Sequence, residues 1–112
     1  MLGWFQKNRL HKDAQKDAAL ESINKALFAS MRYAEELRIS NVEDRSREFE
    51  LAELWANAAA KVRHASQDLS SRLKDKSIYW TKQIKWSRDE VVRRKIDFEA
   101  IQSEITKLLD NQ

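Results

Sequence analysis

The chain has 112 residues, of which 42% are hydrophobic and 35% charged, and its formal net charge is +3. It contains one glycine, no proline and no cysteine. Because sheets and barrels need turns that glycine and proline supply, this composition excludes most β and α/β folds and predicts an all-α protein. The lack of cysteine excludes disulfides, thiol catalysis and cysteine-ligated metal sites.

Residues 1–12 combine aromatic and basic side chains, with Trp4 and Phe5 preceding three bases. Aromatic rings favour the headgroup boundary of a bilayer and bases favour anionic lipids, so Trp4 and Phe5 are candidate contacts with a membrane surface or another protein. Alternatively, both rings cover the open end of a helical bundle. We find no signal peptide pattern and no run near the roughly 20 apolar residues of a membrane span, so we expect a cytoplasmic protein.

Two amphipathic helices are predicted next in the chain. Apolar residues at steps of three and four predict a first helix over residues 13–39. Ser40 and Asn41 are each followed after three residues by an acid, a spacing typical of helix caps, so the chain should turn there. A second stripe predicts a helix over residues 42–74, with an alanine-rich middle that lets a neighbouring helix approach closely.

A third helix is predicted over residues 77–110, with Ser77 as its cap. Ser87 and Glu90 form a capping box ten residues later, which offers a different start for this helix. Three helices of similar length joined by short links predict one domain, an antiparallel up-down-up three-helix bundle. The alternative is a two-helix hairpin in which residues 42–110 form one long helix, and such a hairpin would dimerise as a coiled-coil-like bundle.

The sequence offers no motif for catalysis or metal binding. His11 and His64 stand in no metal-ligand spacing, and a single glycine excludes a phosphate-binding loop. Acidic residues between positions 43 and 53 alternate with arginines and predict a solvated face of ion pairs. We therefore expect no enzyme, no catalytic residue, no cofactor and no metal.

The most informative segment is residues 72–95, where nine bases stand against three acids around Tyr79, Trp80 and Trp86. On a continuous helix, Trp80 and Ile84 would face the core, whereas Tyr79 and Trp86 would lie at its margin. Aromatic rings beside positive charge suit an acidic protein surface or a nucleic acid. The candidate partner-binding residues are Tyr79, Lys82, Lys85, Trp86, Arg88 and Lys95. The plainer alternative is that the tryptophans fill the core and the bases only meet solvent.

These patterns favour a non-enzymatic protein-protein interaction module, such as an adaptor, a chaperone or an inhibitor of the immunity type. Its partner would be another protein, because interface anchors are enriched in large aromatic residues and arginine. The nine bases of residues 72–95 favour an acidic surface on that partner. A homodimer is a further possibility. The alternatives are nucleic-acid binding through residues 72–95 and, less favoured, membrane-surface association through residues 1–12.

Overall fold

The structure, a computed structural model, describes the backbone of residues 2–110 and the side chains of residues 14–108. Over this range the chain is all-helical and forms no strand, which confirms the predicted fold class. The helices are α1 (Leu2–Ser40), α2 (Arg45–Val62), α3 (Gln67–Thr81), α4 (Arg88–Arg93) and α5 (Phe98–Asp110). None of these helices is long and apolar enough to cross a membrane within the described residues.

Helices α1 and α2 pack side by side in opposite directions. The Trp55 indole Nε1 donates a hydrogen bond to Ser30 Oγ at 2.8 Å. One turn closer to the link between the helices, Tyr33 Oη donates to Glu48 Oε2, also at 2.8 Å. Rising residue numbers on α1 thus meet falling numbers on α2, so the two helices are antiparallel.

Helices α2 and α3 are also antiparallel, and small residues bring them close together. The Ser70 hydroxyl donates to the carbonyl of Ala59 at 2.8 Å, and the Ser77 hydroxyl donates to the carbonyl of Ala52 at 2.7 Å. A short side chain can reach a backbone carbonyl of the facing helix only where the helices nearly touch. The predicted close approach along the alanine-rich stripe is therefore observed.

The hydrophobic core lies between α1, α2 and α3, and α5 contributes to it. Trp55 is completely buried at its centre, and Ile101 brings α5 into the same cluster. The other buried members are mostly aliphatic or small: Ala19, Ile23, Ala26, Leu27, Tyr33, Leu51, Ala52, Ala58, Ala59, Val62, Leu69, Leu73 and Trp80.

The chain turns after Ser40 as predicted, but α1 begins at Leu2 rather than residue 13, and neither Ser40 nor Asn41 caps α2, which begins at Arg45. Asp44 caps α2 by accepting from the backbone N–H of Arg47.

The second predicted helix is not continuous. The predicted helix over residues 42–74 is interrupted after Val62, and α3 begins behind Ser66, whose Oγ accepts from the Leu69 N–H at 3.1 Å. A serine that can satisfy a free N–H is enough to start a new helix here, without any glycine or proline.

The predicted turn at residues 74–77 is wrong, because α3 runs through it to Thr81. Ser77 caps no helix, since its hydroxyl bonds to the carbonyl of Ala52 on α2. The predicted helix over residues 77–110 is instead broken twice, at residues 82–87 and 94–97. The alternative of one long helix over residues 42–110 is wrong for the same reason.

The last two breaks have recognisable local causes. Ser87 caps α4 by accepting from the Glu90 N–H at 3.2 Å, as its capping-box spacing predicts. After α4, Lys95 adopts a left-handed φ of 59°, and its N–H bonds to the Val92 carbonyl at 3.0 Å. The next N–H, that of Ile96, bonds to the Val91 carbonyl at 3.2 Å. This pair of bonds is a Schellman motif, which ends the helix although the left-handed residue is a lysine.

Candidate functional site

The candidate site is a surface cavity of about 280 Å³ whose lining residues come from α1, α3, α4, α5 and the segments on either side of α4. We call it the aromatic cavity, because four of its lining residues are Tyr79, Trp80, Trp86 and Phe98. The remaining lining residues are Ala34, Lys76, Arg88, Val91 and Asp97. The break after α3 creates this arrangement, since it lets residues 86–98 fold back beside α3.

Lys76 is the unusual polar residue of the aromatic cavity. It lies on α3 and is only 4% exposed. Its Nζ lies 4.5 Å from the ring centroid of Phe98 and 5.3 Å from that of Tyr79. The rings of Trp55 and Trp80 are at 6.0 and 5.9 Å. The ammonium group thus lies over the electron-rich faces of four rings, where cation–π attraction operates.

No hydrogen-bond acceptor within residues 14–108 pairs with the Lys76 ammonium group. Burial lowers the pKa of Lys76 from 10.5 to about 8, and the negative charge of Asp97 opposes this shift. At pH 7 the side chain is therefore still mostly protonated. Its three N–H donors thus have no acceptor among the described residues.

A second buried donor lies in the wall of the same cavity. Trp80 is 5% exposed, and its Nε1 has no hydrogen-bond partner among the described residues. Its ring stands edge-on to those of Tyr33 and Tyr79, at centroid distances of 5.7 and 5.1 Å. By contrast, the Nε1 of the equally buried Trp55 is satisfied by Ser30. Most buried polar groups in native proteins are paired, so two unpaired donors in one cavity wall call for an explanation.

The segment that carries Trp86 is held firmly although it is not helical. We call residues 82–87 the tethered loop. The Lys85 ammonium group donates to Glu48 Oε1 on α2 at 2.9 Å. The Arg45 guanidinium donates to the carbonyls of Thr81 and Lys82 at 2.9 and 3.0 Å. These bonds fix both the end of α3 and the loop against the start of α2.

Glu48 is the centre of this attachment and is completely buried. Its carboxylate accepts from Tyr33, Lys85 and Arg45. Burial acts to raise the pKa of Glu48, but these hydrogen bonds outweigh it, and the pKa is lowered below its ordinary value. Burial and the nearby Glu48 raise the pKa of Tyr33, although its contact with the Asp44 N–H has the opposite effect. The prediction that Glu48 lies on a solvated face is wrong, because three donors compensate its burial.

Three of the six predicted contact residues come together in the aromatic cavity. Tyr79, Trp86 and Arg88 all line it, with the rings of Tyr79 and Trp86 6.3 Å apart. Trp86 is half-buried, because the guanidinium carbon of Arg94 lies 4.0 Å above its ring. The predicted helical contact between Tyr79 and Trp86 is thus replaced by a contact across the break.

The other three predicted contact residues, Lys82, Lys85 and Lys95, do not line the cavity. Lys82 is exposed just beyond α3, and Lys95 is exposed in the turn after α4. Lys85 is engaged with Glu48 and is not a free surface charge. The prediction of a core position is correct for Trp80 but wrong for Ile84, which is 89% exposed because it falls in the loop rather than on a helix.

Much of the positive charge between residues 72 and 95 is neutralised inside the molecule. Arg72 pairs with Asp68 and Glu104, and Arg94 pairs with Asp75 and Glu90. Arg93 also pairs with Glu90, Lys85 pairs with Glu48, and Lys76 is buried. Within residues 14–108, the bases of this segment that are exposed and form no ion pair are Lys74, Lys82, Arg88 and Lys95.

Two further observations bear on what this surface can do. The side chains of Trp4 and Phe5, the candidate N-terminal contacts, lie outside the described residues. Among the described residues, no group of three or more histidine or acidic side chains is placed to hold a metal ion.

Sequence reasoning missed Lys76 and Glu48 as central residues, although both lie on the buried face of their helix.

Comparison with known proteins gives no relative for this chain. It matches no protein-family model, and no curated protein and no solved structure is significantly similar to it.

Proposed function

We propose that this chain is a non-enzymatic protein-binding module whose contact surface is the tethered loop and the adjoining rim of the aromatic cavity. The observation that carries the proposal is the 89% exposure of Ile84 on a loop that is bonded to Arg45 and Glu48 of α2. Single exposed aliphatic side chains are common on protein surfaces. Here the side chain is presented on a fixed loop between Lys82 and the half-buried Trp86.

The tethers matter for binding because ordering a loop costs free energy at the moment of association. Lys85 and Arg45 already fix the backbone of the tethered loop. A loop that is held in place before binding loses less conformational entropy when the partner binds. The affinity of the complex is higher by this difference. Ile84 and Trp86 then supply the apolar anchors that dominate most interfaces.

The charges near this surface favour an acidic partner. Lys82 is the first residue of the tethered loop and Arg88 follows its last residue; both are exposed and form no ion pair within the described residues. Cations of this kind speed the encounter with an acidic surface more than they strengthen the final complex. We therefore expect the rate of association to fall with added salt, and the rate of dissociation to depend mainly on Ile84 and Trp86.

Nucleic-acid binding through residues 72–95 is the weaker proposal. Phosphate contacts need several free cations, and affinity falls with salt in proportion to their number. The ion pairs of Arg72, Arg93 and Arg94 reduce the charge that this segment offers to phosphates. Membrane association through residues 1–12 has no support from the described side chains.

The proposed contact surface is tested by replacing an exposed apolar residue with glutamate at two positions, one inside this surface and one outside it. Ile84→Glu alters the tethered loop, and Phe28→Glu alters α1, where Phe28 is also well exposed. Each tagged protein is expressed in the organism that naturally produces this chain. The proteins that co-purify with it are identified after nuclease treatment. We expect one or more proteins to be retained by the wild type and by Phe28→Glu and to be lost from Ile84→Glu.

Two results would contradict the proposal. One is that the wild type retains no protein above an empty resin. The other is that Ile84→Glu retains the same proteins as the wild type, which would place the contact surface elsewhere. Retention that disappears with nuclease treatment would instead favour nucleic acid.

A further inference from the structure

Two donors of the residues that line the aromatic cavity have no acceptor among the described residues: the fully buried Trp80 Nε1 and the Lys76 ammonium group. Both side chains are more than nine-tenths buried. Burying an unpaired polar group costs free energy, and burying an unpaired charge costs more. The rings around Lys76 offset part of this cost but accept no hydrogen bond of ordinary strength.

The charge in the cavity wall favours an anion. Lys76 and Arg88 are cationic lining residues, and Asp97 is the anionic one. The Asp97 carboxylate accepts a hydrogen bond from the Ala100 N–H at 3.3 Å, at the start of α5. Negative charge is stabilised at a helix N-terminus, so Asp97 is already engaged there. An anion that enters the cavity therefore meets Lys76 as a cation without a bonded partner.

The size and the walls of the cavity restrict the kind of anion. A volume of about 280 Å³ is just below the range of about 300–1,000 Å³ that accommodates drug-sized ligands, so it suits a single ring or one side chain. The rings of Tyr79, Trp86 and Phe98 favour an apolar or aromatic body. Lys76 and Arg88 against Asp97 give the lining a net charge of +1, which balances a single negative charge, whereas a doubly charged phosphate would leave a charge uncompensated beside the apolar wall.

We propose that the aromatic cavity binds a monocarboxylate that carries a small apolar or aromatic group. The carboxylate accepts a hydrogen bond from Lys76 Nζ, and the rings of the cavity enclose the apolar part. The carboxylate belongs either to a free acid or to the C-terminal residue of a peptide, because the two present the same chemistry. This site shares Trp86 with the proposed contact surface. Lys76 belongs only to the cavity and Ile84 only to the tethered loop, so Lys76→Met and Ile84→Glu test the two proposals separately.

The first experiment compares an acid with its neutral amide. Phenylacetate and phenylacetamide are titrated separately into the full chain, and the assigned indole N–H resonances are followed by NMR. We expect saturable shifts of the Trp80 and Trp86 indole signals with phenylacetate. The amide should bind at least about tenfold more weakly than the acid, since a hydrogen bond to a charged group contributes about that factor to affinity. Equal binding of the acid and the amide, or the absence of any saturable shift, would overturn the proposal.

The second experiment tests the role of Lys76 with a matched control. Lys76→Met keeps the length of the side chain without its charge, and Lys74→Met makes the same change at an exposed position of α3. We expect Lys76→Met to weaken phenylacetate binding about tenfold or more and Lys74→Met to leave it unchanged. The Trp55 indole signal, which reports the bond to Ser30, shows whether each variant is folded. Unchanged affinity in folded Lys76→Met would refute the role of Lys76.

A third titration identifies the source of the carboxylate. An acetylated tripeptide, acetyl-Gly-Gly-Phe, is compared as the free C-terminal acid and as the C-terminal amide. Tighter binding of the peptide acid than of phenylacetate assigns the cavity to a peptide C-terminus. Weaker binding assigns it to a free acid, and binding of the peptide amide as tight as that of the peptide acid contradicts the proposal in both forms.

Discussion

Replacing Lys76 with methionine should make the protein more stable. The pKa of Lys76 is lowered from 10.5 to about 8 in the folded chain. A shift of this size corresponds to about 3 kcal/mol of unfavourable free energy for burying the charged form. The contacts with four rings, at 4.5–6.0 Å from Nζ, return part of this cost. The two nearest rings, those of Phe98 and Tyr79, return about 0.5–1 kcal/mol each, whereas those of Trp55 and Trp80 lie near the outer limit of this attraction. The net stabilisation expected for Lys76→Met is therefore about 1–2 kcal/mol at pH 7.

The dependence of this effect on pH has a defined sign. Because the folded-state pKa of Lys76 is lower than that of the unfolded chain, the unfolded chain binds more protons between pH 8 and 10.5. The free energy of unfolding should therefore rise with pH in this window, through the contribution of Lys76 alone. Lys76→Met should lack this contribution, and its stability advantage should shrink as the pH approaches 10.5.

The assay is urea denaturation of the wild type, Lys76→Met and Lys74→Met at several pH values between 7 and 10. Lys74 is exposed, so its substitution should change the free energy of unfolding by about 0.5 kcal/mol or less. A destabilised Lys76→Met with the same pH dependence as the wild type would refute the reasoning, since it would mean that the charge of Lys76 is well accommodated.

Three other predictions concern the tethers, the core and a turn. Glu48→Gln should cost about 1.5–3 kcal/mol at pH 7, because Lys85 and Arg45, both partly exposed, lose the negative charge of their hydrogen-bond acceptor. The folded-state pKa of Glu48 is lowered, so in the wild type its protonation below pH 5 should reduce the free energy of unfolding. Glu48→Gln has no carboxylate to protonate, so its free energy of unfolding should fall less over the same pH range in denaturation experiments. Ile101→Ala should cost about 2–5 kcal/mol in urea denaturation, and Trp86→Ala should cost clearly less, because Ile101 is fully buried and Trp86 is not; equal losses would make Trp86 a core residue. Lys95→Gly should stabilise the fold by about 1 kcal/mol, because glycine adopts a φ of 59° without steric cost; a lower melting temperature for this variant would contradict that reading of the turn.

The all-α fold and several helix ends could be predicted from the sequence, because their causes are local. The spacing of Ser87 and Glu90 predicts a cap wherever α4 begins, and Ser87 does cap it. The periodicity of the chain predicts helices but not the places where they stop. Ser66 ends one predicted helix and starts another, yet nothing distinguishes it in sequence from serines within helices such as Ser70 and Ser77, whose hydroxyls bond to carbonyls of α2.

The candidate site was only half predictable for a related reason. Tyr79 and Trp86 were expected together on one helix, and they meet across a break that packing imposes. Lys76 follows Leu69 and Leu73 at helical spacing and precedes Trp80, so it occupies a core position of α3. From sequence alone, a lysine at such a position is taken to end the apolar face of the helix, because burying an unpaired charge is unfavourable. Residues that break a local rule in this way are found most often at functional sites.

The most direct test of the account is the pKa of Lys76 itself, measured from the ¹³Cε resonance of this lysine during a pH titration. The titration is carried out without ligand and again with saturating phenylacetate. We expect a pKa of about 8 for Lys76 in the free protein and a higher value in the complex, because a bound carboxylate favours the protonated amine. A pKa near 10.5 in both titrations would contradict this expectation, since Lys76 would then be neither buried as an unpaired charge nor in contact with the carboxylate.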